Sequence, residues 1–450
     1  MQRVFHILAC ALLLGVFWAL AGLAAAAPQP GCLECHQAPA QAAERAKLLG
    51  PHAQLECGDC HQGVAEYPHE RPSLVPCLSC HTPHSEAQIA DVHAGVSCQA
   101  CHFAGLTPLR AKPGGPVSAR PPAGKESTLY VHRLVDAPHS ASCGRCHHPG
   151  NQLGAAAAVL PAKGLLCLAC HTATLTLPDW PSRLALAVLV LGLLAALGFW
   201  FSGTRGGALV LPGGKGQAAH QAAGVGVRTR LGRGLAALVL DGLLQRRLWR
   251  FSPGRGLIHA LIFWPLLLRL LWALAALALN HWWPQGALSQ ALLHKNQPAT
   301  ALFFDLTGLI MLAGVAAAAL RRLYAPPPAA PGLPRPDWPA LALLGGAVLM
   351  GFVLEAARLA MTGWPAGGGW APAGWALSRL FSPGPALQEA YAWLWYAHVV
   401  LYAGFVAYLP FSRMFHILTA PLVLALRGAQ GQPALSGSWN GPAPADKVRR

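Results

Sequence analysis

Six apolar runs are each long enough to cross a bilayer: roughly Val4–Leu23, Leu184–Phe201, Leu257–Leu279, Ala299–Leu320, Leu341–Ala360 and Tyr391–Phe411. Inside hydrocarbon no water satisfies a free peptide group, so such a run has to be helical. The composition agrees: 54% hydrophobic with 11% charged residues is too apolar for a soluble chain of 450 residues. Between the first and second runs lies a long Pro- and Cys-rich stretch with none. The expected fold is therefore mainly α, a transmembrane helical bundle with a five-span core joined to a small, loop-rich extramembrane domain. The expected boundaries are a signal peptide or N-terminal anchor at 1–27, the extramembrane domain at 28–180, the membrane domain at 181–421 and a cytoplasmic tail at 422–450.

Basic residues set the orientation. Segment 202–256 carries Arg205, Lys215, Arg228, Arg230, Arg233, Arg246, Arg247, Arg250 and Arg255, and Arg321, Arg322 and Arg335 follow the fourth run. The opposite loops, 281–298 and 362–390, hold only Lys295 and Arg379. Positive loops stay inside, so the Cys-rich domain is expected in the periplasm and the chain in the cell inner membrane as a multi-pass protein. The net charge of +16 then reads as topology, and no nucleic-acid partner is expected. The first run, with Arg3 ahead of it and Gly22-Leu-Ala-Ala-Ala-Ala27 at its end, has the form of an export signal. Cys10 lies within that run and is given no role.

The exported domain repeats one pattern six times: Cys32-Leu-Glu-Cys35-His36, Cys57-Gly-Asp-Cys60-His61, Cys77-Leu-Ser-Cys80-His81, Cys98-Gln-Ala-Cys101-His102, Cys143-Gly-Arg-Cys146-His147 and Cys167-Leu-Ala-Cys170-His171. Zinc sites use paired cysteines but do not demand a histidine directly after each second one, and a disulfide framework leaves the histidines unexplained. Covalent haem needs all three residues: two thiols for the vinyl groups and an imidazole for the iron. Six c haems are expected. Methionine is absent between the first two runs, so the opposite ligands are expected from His52, His69, His84, His93, His132 and His139, with His148 surplus. His52 and His93 each stand five residues before a motif, a spacing that resembles class III multihaem cytochromes and implies service to a neighbouring haem. About 150 residues cannot build an ordinary core around six macrocycles, so the haems themselves would be the core.

Histidines also mark the later runs. His259 and His416 lie at span ends that the expected topology brings to the cytoplasmic edge, where they could close on one b haem. His398 lies inside the last run, 18 residues before His416, nearly a membrane thickness at about 1.5 Å per residue. An ionisable residue at that depth is a functional candidate.

Three stretches stand out: Arg255-Gly-Leu-Ile-His-Ala-Leu-Ile-Phe-Trp264, Phe304-Asp-Leu-Thr-Gly-Leu-Ile-Met-Leu-Ala-Gly314 with Arg321-Arg322, and Tyr408-Leu-Pro-Phe-Ser-Arg-Met-Phe-His-Ile-Leu-Thr-Ala-Pro421. With them, residues from about 228 to 430 resemble the membrane cytochrome b family that includes the nitrate reductase gamma subunit, and more closely the membrane subunits of heterodisulfide reductase and of the sulfite-reductase-associated complex. The resemblance implies two stacked b haems, a quinone site and a cytoplasmic iron–sulfur partner resembling a heterodisulfide reductase subunit. It also implies a second ligand ten residues after His259, where this chain has Arg269. The outer b haem is thus absent, or bound by His398 with His281 or His294. Arg269 should pair with a haem propionate or Glu355. Segment 229–250, amphipathic and basic, is expected on the membrane surface or at a subunit dock.

These features define a membrane electron-transfer protein linking a periplasmic hexahaem domain to quinone through one or two b haems. It would be a quinol/cytochrome c oxidoreductase subunit that exchanges electrons with periplasmic redox proteins. The alternative is a terminal oxyanion reductase with a catalytic c haem, against which the supply of histidine ligands argues.

Overall fold

Proline opens three of the long apolar helices, a position where its missing N–H costs nothing because the first turn has no partner for it. In the structure, a computed structural model, these helices are α2 (Pro253–Trp282), α3 (Pro298–Tyr324) and α5 (Pro385–Tyr408). With α1 (Trp180–Ser202) and α4 (Trp338–Met361) they account for the five segments long and apolar enough to cross a membrane among the described residues. Described are residues 49–61, 77–81, 93, 95–124, 129–135, 139–202, 226–284, 286–325 and 337–431. The expected export signal with Cys10, the motif Cys32–His36, the candidates His69 and His84, and the tail beyond 431 lie outside them.

The chain divides into two compact units, and the division does not follow sequence order. One comprises 1–83, 98–108 and 119–142; the other comprises 84–97, 109–118 and 143–450. The fifth and sixth motifs thus belong with the spans. In the first unit the described elements are single turns and short helices, among them Cys57–Cys60, Cys98–His102 and Leu129–His132. A two-stranded hairpin, Thr107–Arg110 with Val117–Arg120, is the described sheet.

In the second unit α2 packs on α3, α4 on α5, and α1 on α5. Small residues set the approach. A Cβ at Gly314 of α3 would lie 2.8 Å from Ile262 of α2, and one at Gly345 of α4 2.9 Å from Val315 of α3. Such close contact is how helices gain packing where lipid is as apolar as leucine. Leu344, Phe405, Val406 and Leu409 form one buried cluster, and Met311, Val348 and Phe352 another. Leu191, Leu194, Leu271, Leu306 and Leu349 are exposed on the outer faces, the inverse of a soluble bundle.

The basic segment forms the helix Val227–Ala237, a π turn and the helix Arg246–Phe251. Its first helix packs closely on His416–Ala429, since a Cβ at Gly428 would stand 2.7 Å from the Arg233 carbonyl.

Buried polar side chains tie elements together. Gln388 of α5 accepts from the Gly150 N–H at 2.8 Å and donates to the Asn151 carbonyl at 2.9 Å, fixing the segment after the fifth motif to a span. Asp337, fully buried, accepts from the Arg413 N–H at 2.7 Å, and its carbonyl accepts from Arg322. Asp305 of α3 caps another helix: its two oxygens accept from the N–H groups of Ala373 and Gly374, each at 3.0 Å, at the start of Pro372–Ser378, whose own N-cap Ala371 offers no side-chain acceptor. Asp305→Ala should therefore destabilise the membrane unit by about 2 kcal/mol, the scale of a lost cap with buried donors left open, while Asp305→Asn keeps part of it. Thermal unfolding in detergent reads the difference.

Candidate functional site

Each of the five described motifs folds as one turn. The histidine N–H donates to the carbonyl of the first cysteine at 2.8 Å in Cys57–His61, 2.9 Å in Cys77–His81, 2.9 Å in Cys143–His147 and 2.8 Å in Cys167–His171. Cys98–His102 lies within a single short helix. Helical spacing places residues three and four apart on one side, so both sulfurs and the imidazole of a motif share a face. No disulfide joins the described cysteines, and among the described residues no three His, Cys, Asp or Glu side chains converge as a metal-ion cage requires.

The histidines instead meet in twos. Ring centroids are 5.6 Å apart for His52 and His81, 5.8 Å for His61 and His132, 6.2 Å for His93 and His147, 6.0 Å for His171 and His398, and 5.8 Å for His259 and His416. A metal bound by two opposed imidazoles at about 2.0–2.1 Å sets the ring centres roughly 6 Å apart, since a ring nitrogen lies about 1.1 Å from its own centre. All five centroid separations lie near that value; in the first pair the Nε2 atoms face each other at 3.4 Å, short of the roughly 4 Å that an iron between them requires.

The other ring nitrogen is tied down where ligation needs it to be. Nδ1 of His147 meets the Ala156 carbonyl at 2.9 Å, Nδ1 of His398 the Ala347 carbonyl at 2.9 Å, and Nδ1 of His416 the Arg413 carbonyl at 2.8 Å. A carbonyl can only accept, so Nδ1 carries the proton and Nε2 presents its lone pair. Metal-binding histidines are held in this way, through the far nitrogen. His259 uses the side chain of Gln245, with Nδ1 at 3.1 Å from Oε1. Gln245 is buried and has φ 53°, a left-handed conformation that costs a residue with a Cβ and that clusters where function requires it.

The pairing skips the nearest motif. His52 precedes Cys57 yet faces His81, and His93 precedes Cys98 yet faces His147. The expected meeting of His259 and His416 is present. His398 departs from expectation: it faces His171 of the sixth motif, whereas His281 packs on Trp282 and His294 lies against the loop at Gly95. The His102 carbonyl accepts from Val135, His139 begins the helix His139–Gly144, and His148 is exposed with Nδ1 on the Pro149 carbonyl.

The sixth motif is buried within the bundle. Leu168 and Ala173 pack with Ala273 and Leu277 of α2, and the His171 ring stacks on Phe304 of α3. Burial, with the charges of Lys163, Lys295 and Arg269 nearby, holds His171 well below the usual histidine range and therefore neutral. Burial also pushes the Cys170 thiol up, opposed by the Arg269 charge.

Arg269 itself donates from Nε to the Thr307 hydroxyl at 2.8 Å and from Nη2 to the Phe304 carbonyl, with its guanidinium 5.3 Å from the Phe304 ring centre. The expected partner Glu355 is instead held by Arg358, at 2.6 and 3.0 Å. The local reason is spacing: three residues on one helix put those two side by side. Sequence reasoning missed Gln245, Thr307 and the Ala347 carbonyl, none of which belongs to a pattern.

Residues 266–431 match the family model of the nitrate reductase gamma subunit. That stretch includes α3, α4 and α5 with Arg269, His398 and His416, and it begins just after His259. No curated protein and no solved structure matches the chain.

Removing the acceptor for Arg269 Nε should cost on the order of 1–3 kcal/mol, the penalty of a buried donor left unpaired. Thr307→Val is expected to lower the detergent-phase melting temperature, and Thr307→Ser to restore it. Gly308→Ala should destabilise independently, because its Cβ would lie 2.9 Å from Arg269 Nη2 and 2.8 Å from Phe352 Cζ.

Proposed function

We propose that this chain is a membrane electron-transfer protein carrying six covalent c haems in an exported, periplasmic segment and b haem in the membrane, exchanging electrons with the quinone pool. The five imidazole pairs near 6 Å carry the reading, supported by the family match over 266–431. Haem bound at such pairs supplies one-electron transfer with no open coordination position, and histidine on both faces favours low potentials in the absence of methionine.

The protein's own part is placement. His52, His132 and His93 stand opposite His81, His61 and His147, while the paired cysteines of each motif anchor the ring covalently. His36 and His102 would take opposite ligands from His69, His84 and His139. His259 and His416 hold the b haem at the basic, cytoplasmic side, Gln245 and the Arg413 carbonyl orienting their Nδ1 protons. Proton exchange with quinone belongs at that membrane unit. Asp241, paired with Arg246 at 3.3 Å and Arg247 at 2.9 Å, stiffens the adjoining cytoplasmic segment, the surface offered to an iron–sulfur subunit resembling those of heterodisulfide reductase.

Pyridine haemochrome analysis of the purified protein should give six c haems per chain, one per motif, together with b haem; zinc in place of covalent haem would end the reading. His259→Ala or His416→Ala should remove a b-haem signal and leave every c haem. Gln245→Leu should loosen b haem about 10–100-fold, the usual cost of losing a ligand's outer hydrogen bond, read as haem lost on detergent washing.

A further inference from the structure

We propose that His398 of α5 is the distal ligand of the haem attached through Cys167 and Cys170, so that the outer haem of the membrane unit is the sixth c-type group and not a second b haem. The proposal rests on the multihaem reading above.

His171 is the obligatory proximal ligand of its motif, because attachment through Cys167 and Cys170 holds the ring beside it. Whatever imidazole stands opposite His171 at the two-ligand spacing is then the other ligand of that iron. His398 stands there, its centroid 6.0 Å from that of His171, inside the range of the four other pairs. Its Nδ1 is committed to the Ala347 carbonyl, so its Nε2 lone pair is the one available for a metal.

A separate b haem on His398 would need a different imidazole across the iron. His281 is engaged with Trp282, and His294 lies against the loop at Gly95. Arg269 cannot serve, since a guanidinium is a donor only. The gap between His171 and His398 admits one iron, and the cysteines beside it determine which haem that is.

The surroundings were built around the motif. Leu166 packs on the cluster of Leu344, Phe405, Val406 and Leu409, while Leu168 and Ala173 pack on α2, so segment 166–173 is seated among the spans. Arg269 stands beside the motif, its guanidinium 5.3 Å from the centre of the Phe304 ring that stacks on His171, and Thr307 and the Phe304 carbonyl hold it in place. A fixed cation beside the motif suits the propionates of a haem there.

Attachment balances without another reagent. Each thiol adds across one vinyl group: sulfur bonds to the inner vinyl carbon, the S–H hydrogen passes to the outer carbon, and nothing is oxidised or released.

The test uses the whole chain, matured with c haem and purified in detergent. The b-to-c ratio of the unaltered protein should be one to six, and a ratio of two to six overturns the proposal while leaving the multihaem reading intact. Absence of covalent haem from the intact-protein mass overturns both. In His398→Ala, mass should still show six covalent haems and b-haem content should be unchanged, but electron paramagnetic resonance should show one c haem converted from low to high spin. His398→Met keeps a ligand and a similar volume, and should raise the midpoint potential of one c haem only. Loss of b haem from either variant, with all c haems still low-spin, overturns the assignment of His398. Cys167→Ala with Cys170→Ala provides the control: one covalent haem lost, the b haem retained.

Discussion

Two imidazoles held about 6 Å apart are the interaction on which the rest of this structure depends, with the far nitrogens of His147, His398 and His416 tied to carbonyls. Before residue 150, Ala100 and Val117 are the buried hydrophobic residues among those described, far too little apolar surface to order a segment of that length. Three of the described motifs there, Cys57–His61, Cys77–His81 and Cys143–His147, are turns closed by a bond from the histidine N–H to the first cysteine carbonyl. Pairs such as His52 with His81, or His61 with His132, join one turn to another, beside backbone bonds such as that from the Val135 N–H to the His102 carbonyl. In the spans the balance reverses: clusters around Met311 and Leu344 supply the packing, and the histidines are guests in it.

Charges inside the membrane unit are met by backbone dipoles and neighbours on the same helix. Arg269 finds a hydroxyl and a carbonyl on α3. Asp305 finds two N–H groups at the start of a short helix. Arg358 and Glu355 find each other, with Asn296 at 2.9 Å from Arg358 completing the set. Each solution answers the same cost, that of a polar group taken from water without a partner. The result is a bundle whose polar residues also act as its joints, as where Gln388 binds the loop at Gly150 and Asn151.

Much of this was legible in the sequence. Span lengths follow from the bilayer, so five of the expected runs reappear as helices within a few residues of the expected ends. His259 and His416 could be brought together from topology alone, because short loops and alternating direction leave few arrangements. The partner of His398 was not legible. Nothing in the spacing of Cys167 to His171 says that this motif is seated among α2, α3 and α5 rather than beside them, and that placement is a tertiary fact. Gln245 was hidden for a related reason: its left-handed backbone and its contact with His259 arise where it opens the helix Arg246–Phe251, which packs on α2. The skipping of His52 and His93 past their nearest motifs depends likewise on how the loops close.

A pair drawn from residues 171 and 398 also imposes a schedule. Translation exposes Cys167, Cys170 and His171 more than two hundred residues before His398 is made. All five spans follow the motif, and four of them precede the one that carries His398. On the ligation proposed for the sixth motif, a haem attached early there would have one protein ligand and one open face until α5 enters the bilayer. The last span would then be the step that seals the site, and a chain cut short before it would carry a reactive, five-coordinate iron at the membrane surface.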